Sequence, residues 1–308
     1  MLRMSKLTAA AVVVAAMLPL SACGGDPTSG GGTGDTSSPA ITIGSANFPE
    51  NQLLAEMYAQ ALEGKGVKVT RKFNIGAREL YLKALREDSI NMIPEYNGAL
   101  LAGLSPNGEV PDGVSTTEQV NEALQKVLPE GLEILESSPA EDKDTLTVTS
   151  ATAQKYNLKT IDDLKAVAGR LALGAGPEFK TRYQGIVGLK KVYGLNFKTF
   201  KSLDPGGPLT KAALKKNQIQ VANIFSTDSA IETDNLVVLE DTKNLFLAQN
   251  ITPVISTAKV KGEVEPALDA VSAALTTEDL TKYVAEVAVN KKSYETVAKQ
   301  FLDDNSLS

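Results

Sequence analysis

A regular alternation of short apolar runs with longer amphipathic segments starts at Ile41 and restricts the fold more than any other feature. The run from Ile41 to Gly44 predicts a short buried strand, and Pro49 suits the first position of the helix that follows. A strand over 67–73, a helix around 80–85 and a strand at 89–93 continue the series. Such alternation favours a largely parallel sheet with helices on both faces, and these sheets bind ligands beyond the carboxyl ends of their strands.

The alternation resumes after a looser stretch at 105–116 and fills a second unit of similar size. Its predicted strands lie at 146–148, 171–173, 196–200 and 220–224, with helices starting near 160, 185 and 209. The tail from Val264 onward is predicted to be helical, with Thr277 and Ser293 as N-caps. Two α/β units followed by a helical tail predict a bilobed protein with a cleft.

Residue types that are missing from the chain exclude several kinds of chemistry. It has no histidine and one cysteine, which rules out Ser-His and Cys-His nucleophile systems and histidine metal sites. The formal net charge of -6 argues against binding to nucleic acid, which needs a concentrated positive field. An enzyme would have to work with carboxylates, lysine or tyrosine, and no zinc, EF-hand or dinucleotide-binding pattern is present. We expect a protein that is not an enzyme and that uses no catalytic residue, metal, cofactor or nucleic acid.

The first 22 residues have the three parts of a secretory signal peptide. Arg3 and Lys6 form a charged start, residues 7–20 are nearly all apolar, and small residues follow. The end of this segment, Leu20-Ser21-Ala22-Cys23, resembles a bacterial lipobox, which implies cleavage before Cys23 and attachment of lipid to its sulfur. We expect an extracytoplasmic protein anchored to the cell membrane by lipid. The alternative is a plain secreted protein with a free thiol.

Residues 23–40 are predicted to be a flexible tether. Beyond Cys23 they are Gly, Ser, Thr, Pro and Asp with one terminal Ala, a composition that cannot bury enough apolar surface to fold. A flexible coil of this length spans about 20–25 Å. A folded domain held outside the membrane on such a tether is suited to capturing a solute for a membrane partner.

Five stretches carry a family resemblance. They are IGSANFPEN at 43–51, NMIPEYNG at 91–98, QKYNLKTIDDL at 154–164, GLKKVYG at 188–194 and FSTD at 225–228. Together they resemble the substrate-binding lipoproteins of osmoprotectant ABC transporters, which bind glycine betaine, choline or carnitine. The likeness runs from Ile41 to about Leu302.

The resemblance implies a type II periplasmic-binding-protein fold, an α/β fold in which two lobes joined by two crossing segments close over a ligand. Lobe 1 would comprise residues 41–146 plus 249–308, and lobe 2 residues 147–248. The protein would be the solute-binding component of an importer for glycine betaine-like compounds. It would act as a monomer that delivers a small-molecule ligand to the membrane permease subunits.

The family surrounds the quaternary ammonium group of its ligand with aromatic rings. Such a group donates no conventional hydrogen bond but is attracted to the faces of the rings. Carried over residue by residue, the resemblance implies ligand contacts from Tyr96, in the Pro-Glu-Tyr motif, and from Phe225. Arg182 aligns with the arginine that holds the acid group of the ligand.

Two further aromatic positions of the family carry threonine here, Thr145 and Thr210, and Ala46 stands where a lysine is frequent. Losing a ring contact weakens binding by about 0.5–2 kcal/mol unless another ring replaces it. The rings that could do so are Tyr183, Phe179 and Phe246. Because threonine hydroxyls both donate and accept hydrogen bonds, the alternative ligand is a neutral, hydroxylated or phenolic compound.

Ser45 and Asn47 complete the predicted site, since their strand-to-helix turn points into the cleft. As an alternative they only cap the helix at Pro49. The other site residues also have structural alternatives, as core aromatics, a surface arginine and solvated threonines. Two other functions stay open: a sensory or germination-type receptor on the same fold, and a secreted enzyme.

Overall fold

The computed structural model describes residues 40–308 except 112 and 263. The predicted signal peptide, Cys23 and nearly all of the tether therefore lie outside the described residues. Among the helices within them, none combines the length and the apolar character needed to cross a membrane.

Ten strands are described. They are β1 (Ile41–Gly44), β2 (Val69–Lys72), β3 (Met92–Tyr96), β4 (Leu132–Ile134), β5 (Asp144–Thr149), β6 (Ala172–Ala175), β7 (Thr199–Ser202), β8 (Val221–Phe225), β9 (Leu236–Leu239) and β10 (Ile251–Ser256).

Eleven α-helices are described. They are α1 (Pro49–Gly64), α2 (Arg78–Arg86), α3 (Asn97–Leu104), α4 (Thr117–Gln125), α5 (Ser150–Tyr156), α6 (Gly188–Tyr193), α7 (Pro208–Lys215), α8 (Ala230–Thr233), α9 (Val264–Ala274), α10 (Thr277–Ala288) and α11 (Tyr294–Asp304). Short 3-10 turns cover 106–108, 162–166, 168–170 and 177–180, and a π turn covers 183–187.

The strands form two five-stranded sheets, in the orders β2-β1-β3-β10-β4 and β7-β6-β8-β5-β9. In the first sheet β10 is antiparallel to both of its neighbours, and in the second β5 is antiparallel to both of its neighbours. The other strand pairings are parallel. Each sheet is therefore parallel apart from one strand, which confirms the predicted largely parallel architecture.

The reversed strand of each sheet is the one that follows a crossing between the lobes. The chain leaves the first sheet after Ile134 and joins the second at Asp144, then leaves the second after Leu239 and rejoins the first at Ile251. We call the elements around the first sheet lobe 1 and those around the second lobe 2. The predicted division at 146/147 falls inside β5, and the one at 248/249 falls just before β10.

Lobe 1 is held together by α1, which is buried along most of its length because α9, α10 and α11 pack around it. Its apolar residues recur at the helical spacing seen in the sequence, and Pro49 is its first residue, as predicted. The Tyr58 hydroxyl lies 2.9 Å from Ser272 Oγ on α9, so this buried hydroxyl has a hydrogen-bond partner. The predicted helical tail is thus part of the core of lobe 1.

Of the two predicted N-caps in this tail, one is confirmed. Ser293 accepts a hydrogen bond from the Thr296 amide at 3.2 Å and caps α11. For α10 the prediction is wrong by one residue, because Thr276 is the cap and accepts from the Asp279 amide at 3.1 Å. Thr277 is the first helical residue, and its hydroxyl accepts from the Glu141 amide instead.

Candidate functional site

A cavity of about 480 Å³ lies between the lobes and is lined by residues from both. This volume is in the usual range for small-molecule sites. Six aromatic side chains are among the described lining residues: Phe48, Tyr81, Tyr96, Phe179, Tyr183 and Phe225. The cavity is thus richer in rings than the family resemblance of the sequence indicated.

Phe48 is at the centre of these rings. Its ring centroid lies 5.3 Å from that of Phe225, with the planes 30° apart, and 6.0 Å from that of Tyr96. Phe48 and Tyr96 belong to lobe 1 and Phe225 to lobe 2. The three rings, called here the aromatic cluster, therefore join the two walls of the cavity.

The turn that carries Phe48 is fixed by a buried amide. Asn51 Oδ1 accepts from the Ala46 amide at 2.7 Å, and Asn51 Nδ2 donates to the Pro94 carbonyl at 2.9 Å. Ala46, Asn47 and Phe48 all line the cavity. Ser45 does not, because its buried hydroxyl donates to the Ala46 carbonyl and accepts from the Asn74 amide.

The capping alternative for this turn is wrong. The N-cap position of α1 is Phe48, and no side chain makes a capping hydrogen bond there. Ser45 instead ties the turn to the segment after β2. Asn47 is exposed at the cavity edge.

Tyr96 ends β3 and is 6% exposed as a residue. Its hydroxyl donates to Glu50 Oε1 at 2.7 Å, and its amide donates to Glu95 Oε2 at 2.8 Å. Glu95 also accepts two hydrogen bonds from Arg78, at 2.6 and 2.9 Å, and one from the Tyr81 hydroxyl at 2.6 Å. Tyr96 is therefore held at both its backbone and its ring.

The pairing of β5 with β8 places Asp144 beside Phe225. The two residues are partners in the antiparallel register, so their side chains lie on the same face of the sheet. Asn223, two residues before Phe225, donates to Asp144 Oδ1 at 2.9 Å. All three residues line the cavity.

Thr145 lies outside the cavity because successive strand residues point to opposite faces. Its hydroxyl is buried, lies 2.7 Å from Thr147 Oγ1 and donates to the Ile224 carbonyl at 2.6 Å. It is neither a solvated threonine nor one of the residues that line the cavity.

Thr210 also lies outside the cavity and is fully buried. Its hydroxyl donates to the Asp204 carbonyl at 2.6 Å and its amide to Asp204 Oδ1 at 2.8 Å. These bonds secure the start of α7. Pro205, rather than Thr210, reaches the cavity from this segment.

Arg182 lines the cavity from lobe 2 and pairs with Glu79 of lobe 1, the closest nitrogen-to-oxygen distance being 3.2 Å. The Glu79 side chain is 64% exposed, so the pair lies at the mouth. Of the rings proposed as replacements, Phe179 and Tyr183 line the cavity, whereas Phe246 packs in the core of lobe 2.

Glu50 and Asp142 are buried carboxylates linked through one residue. Thr227 Oγ1 donates to Glu50 Oε2 at 2.6 Å, and the Thr227 amide donates to Asp142 Oδ1 at 3.0 Å. Burial raises the pKa of Glu50, and burial together with the charge of Glu50 raises the pKa of Asp142 well above its usual range. Carboxyl groups coupled in this way titrate as a pair.

Asp144, on the cavity wall, has a similar environment. Burial raises the pKa of Asp144, against the hydrogen bond from Asn223 and the more distant charges of Arg182 and Arg78. No ion pair to Glu50, Asp142 or Asp144 is present among the described residues. Asp142 and Asp144 both line the cavity.

Two buried amides also face the cavity. Gln184 and Gln249 line it and are 6% and 3% exposed, and the side-chain nitrogen of each has no hydrogen-bond partner among the described residues. Buried donors are rarely left unpaired in native proteins. The Gln184 amide is therefore placed to donate to a guest in the cavity, whereas the Gln249 amide lies close enough to Asp144 to lower the pKa of that carboxyl.

A model of the OpuAC family, the substrate-binding domain of an ABC-type glycine betaine transport system, matches residues 39–304. The chain belongs to this family. As a substrate-binding domain of an ABC transporter, it binds a small ligand and works with permease subunits. The predicted recognition is thereby confirmed.

Similar proteins extend along most of the chain. The carnitine transport binding protein OpuCC of Listeria monocytogenes is 27% identical over 282 residues, which are 89% of this chain and 90% of that protein. A glycine-betaine-binding protein of Pseudomonas aeruginosa is 25% identical over 280 residues, with 87% and 88% covered. Both relatives are named as binding proteins, the first for carnitine transport and the second for glycine betaine.

A solved structure of a glycine betaine/carnitine/choline ABC transporter matches the fold. It is 25% identical to this OpuAC-family chain, superposes with a TM-score of 0.68, and the match covers 87% of this chain and 99% of that one. The predicted two-lobe α/β periplasmic-binding fold is confirmed by this likeness.

Proposed function

We propose that this chain captures a quaternary ammonium compound in the cavity between its lobes and delivers it to the permease of an ABC importer. The observation that carries the proposal is the aromatic cluster of Phe48, Tyr96 and Phe225, which both lobes contribute. Ring faces attract an ammonium ion without hydrogen bonds, each by about 0.5–2 kcal/mol. The chain also belongs to a family of glycine betaine transport domains, and glycine betaine carries such an ammonium group.

Ligand contacts are proposed for the predicted residues that line the cavity. Tyr96 and Phe225, joined by Phe48, would offer ring faces to the ammonium group, and Arg182 and Asn47 would lie near the other end of the ligand. Ser45, Thr145 and Thr210 are left out because they lie elsewhere with their hydroxyls engaged.

A ligand held by both lobes would favour the closed arrangement, since it gains contacts that the open one lacks. The closed form would then be the one that the permease recognises. We propose that the protein works outside the cytoplasm as a monomer, anchored through lipid on Cys23. Its two lobes would be those defined above by the two sheets.

A neutral, hydroxylated ligand is not supported by the cavity. The sequence indicated such a ligand through threonine hydroxyls in the site, and neither Thr145 nor Thr210 lines the cavity. The six rings that do line it favour an ammonium ion.

Calorimetry with glycine betaine, carnitine and choline tests the proposed function. Phe225→Ala should weaken binding of the best ligand by roughly 2- to 30-fold, the equivalent of one cation–π contact. The matched control is Phe200→Ala, which removes another partly buried ring from a strand of the same sheet but not from the cavity. Binding of none of the three compounds by the folded protein, with binding of a neutral compound, would overturn the proposal.

A further inference from the structure

We propose that the cavity selects a quaternary ammonium ligand with net positive charge and no carboxylate. Asp142 and Asp144 would be the residues that favour this charge. The inference rests on the proposed function and narrows its substrate class. It predicts choline chemistry over the zwitterions glycine betaine and carnitine.

The first observation is the position of the two aspartates. Asp144 lies next to Phe225 in the β5–β8 pairing, so a carboxylate flanks the aromatic cluster on the wall of lobe 2. Asp142 is 1% exposed and reaches the same cavity from the crossing segment. An ammonium ion held at the aromatic cluster would be near both groups and would favour the ionised form of each.

The second observation is that the basic groups near the cavity are already engaged. Arg78 makes two hydrogen bonds to buried Glu95, and Arg182 pairs with Glu79. Lys143, which lies between the two aspartates in sequence, pairs with Glu141 at 2.9 Å.

The lining residues extend this pattern. No lysine is among the described residues that line the cavity. A ligand carboxylate would lose its hydration here beside the carboxyl groups of Asp142 and Asp144, which is costly without a free cation.

The third observation is an unpartnered amide. The side-chain nitrogen of Gln184 is a donor without an acceptor among the described residues, whereas the Gln249 amide lies close enough to Asp144 to lower the pKa of that carboxyl. A neutral oxygen a few bonds from the ammonium group, such as a hydroxyl, would satisfy such a donor without bringing a negative charge near Asp142 and Asp144. Choline carries both groups.

Calorimetry with four probes tests the inference on the wild-type protein. Choline should bind at least about tenfold more tightly than glycine betaine or carnitine, since a second charge of the wrong sign must be buried. 3,3-Dimethylbutan-1-ol, the neutral carbon isostere of choline, should bind at least about tenfold more weakly than choline, since it carries no charge. Equal binding of choline and this alcohol would overturn the inference.

Variants then assign the charge selection to residues. Asp144→Asn keeps an oxygen for Asn223 and should weaken choline on the order of tenfold while leaving glycine betaine unchanged or tighter. Asp142→Asn should act in the same direction and serves if one variant misfolds. Asp303→Asn, an exposed acid on α11, is the matched control and should change neither affinity.

A variant of Arg182 gives a further test of the inference. Because it is paired with Glu79 across the mouth, Arg182→Ala should change the affinities for choline and glycine betaine by the same factor. A loss confined to glycine betaine would assign Arg182 to a ligand carboxylate and overturn the inference. Equal affinity for choline and glycine betaine would overturn it while leaving the proposed function intact; failure of every quaternary ammonium compound would overturn both.

Discussion

Glu50 and Asp142 illustrate how a binding cavity sets the properties of individual side chains. In an unfolded chain both carboxyl groups titrate near pH 4. In the folded protein burial raises the pKa of both. Facing them are Thr227 and Tyr96 as hydrogen-bond donors and, at longer range, the acid Asp228. The pair therefore stabilises the fold at low pH, and this contribution is lost as the pH rises through the folded-state pKa values.

Asp142→Asn should accordingly stabilise the protein at pH 8 but not near pH 4. It removes a buried negative charge beside Glu50 and keeps an oxygen that can accept from Thr227 and Ser226. A gain of about 1 kcal/mol corresponds to a rise of roughly 2–4 °C in Tm for a protein of this size, which thermal unfolding at the two pH values would detect.

Asp303→Asn is the control for this prediction, because hydrogen bonds from Ser308 and Lys299 lower the pKa of Asp303. It should give no gain at pH 8. If Asp142→Asn melts below the wild type at both pH values, ionised Asp142 is a net stabiliser through its hydrogen bonds, and the account of this pair is wrong.

Elements decide which residues of a motif reach the cavity. The family resemblance indicated residue 145 as a ligand contact. Side chains alternate along β5, however, and it is Asp144 and not Thr145 that lines the cavity. Phe48 lies in the motif at 43–51, but an aromatic residue before proline indicates a turn and not a ligand contact. Asp142 lies in a crossing segment with no periodic pattern, so nothing in its local sequence indicated burial.

Gly206 is a backbone position that lies against the Phe225 ring. Its φ is 60°, and a Cβ added there would lie 2.9 Å from the Phe225 ring. Gly206→Ala should destabilise the fold by about 1 kcal/mol and should also weaken ligand binding by displacing the ring. Gly66 is the matched control, because its φ is 78° and a Cβ added there would meet no atom within 4 Å.

Calorimetry and thermal unfolding of both glycine variants separate the two effects. Gly66→Ala should lose similar stability and keep wild-type affinity. Wild-type affinity in Gly206→Ala would show that the position of Phe225 does not matter for binding.

The whole molecule was largely predictable, because alternating strands and helices leave few ways to build two sheets with short connections. The strands β4, β9 and β10 were not predicted, and two of them lie at sheet edges. Tyr96, Phe225, Arg182 and Asn47 line the cavity because their motifs lie at strand ends or in the loops facing the other lobe. The acids and amides that give the cavity its charge come together only when the lobes meet.

Polar contacts between the lobes accompany the stacking of Phe48 on Phe225. Thr227 donates to Glu50, Arg182 pairs with Glu79, and Lys191 pairs with Glu109. Exposed ion pairs contribute about 0–1 kcal/mol each, so the last two hold the lobes together weakly. A ligand that adds contacts from both lobes would shift such an equilibrium readily.

The decisive measurement is a crystal structure of the protein with bound choline. We expect the ammonium nitrogen between the lobes, within about 6 Å of the ring centroids of Tyr96 and Phe225, with Asp144 as a neighbouring charge. Choline bound away from these rings, or held by one lobe alone, would contradict this expectation.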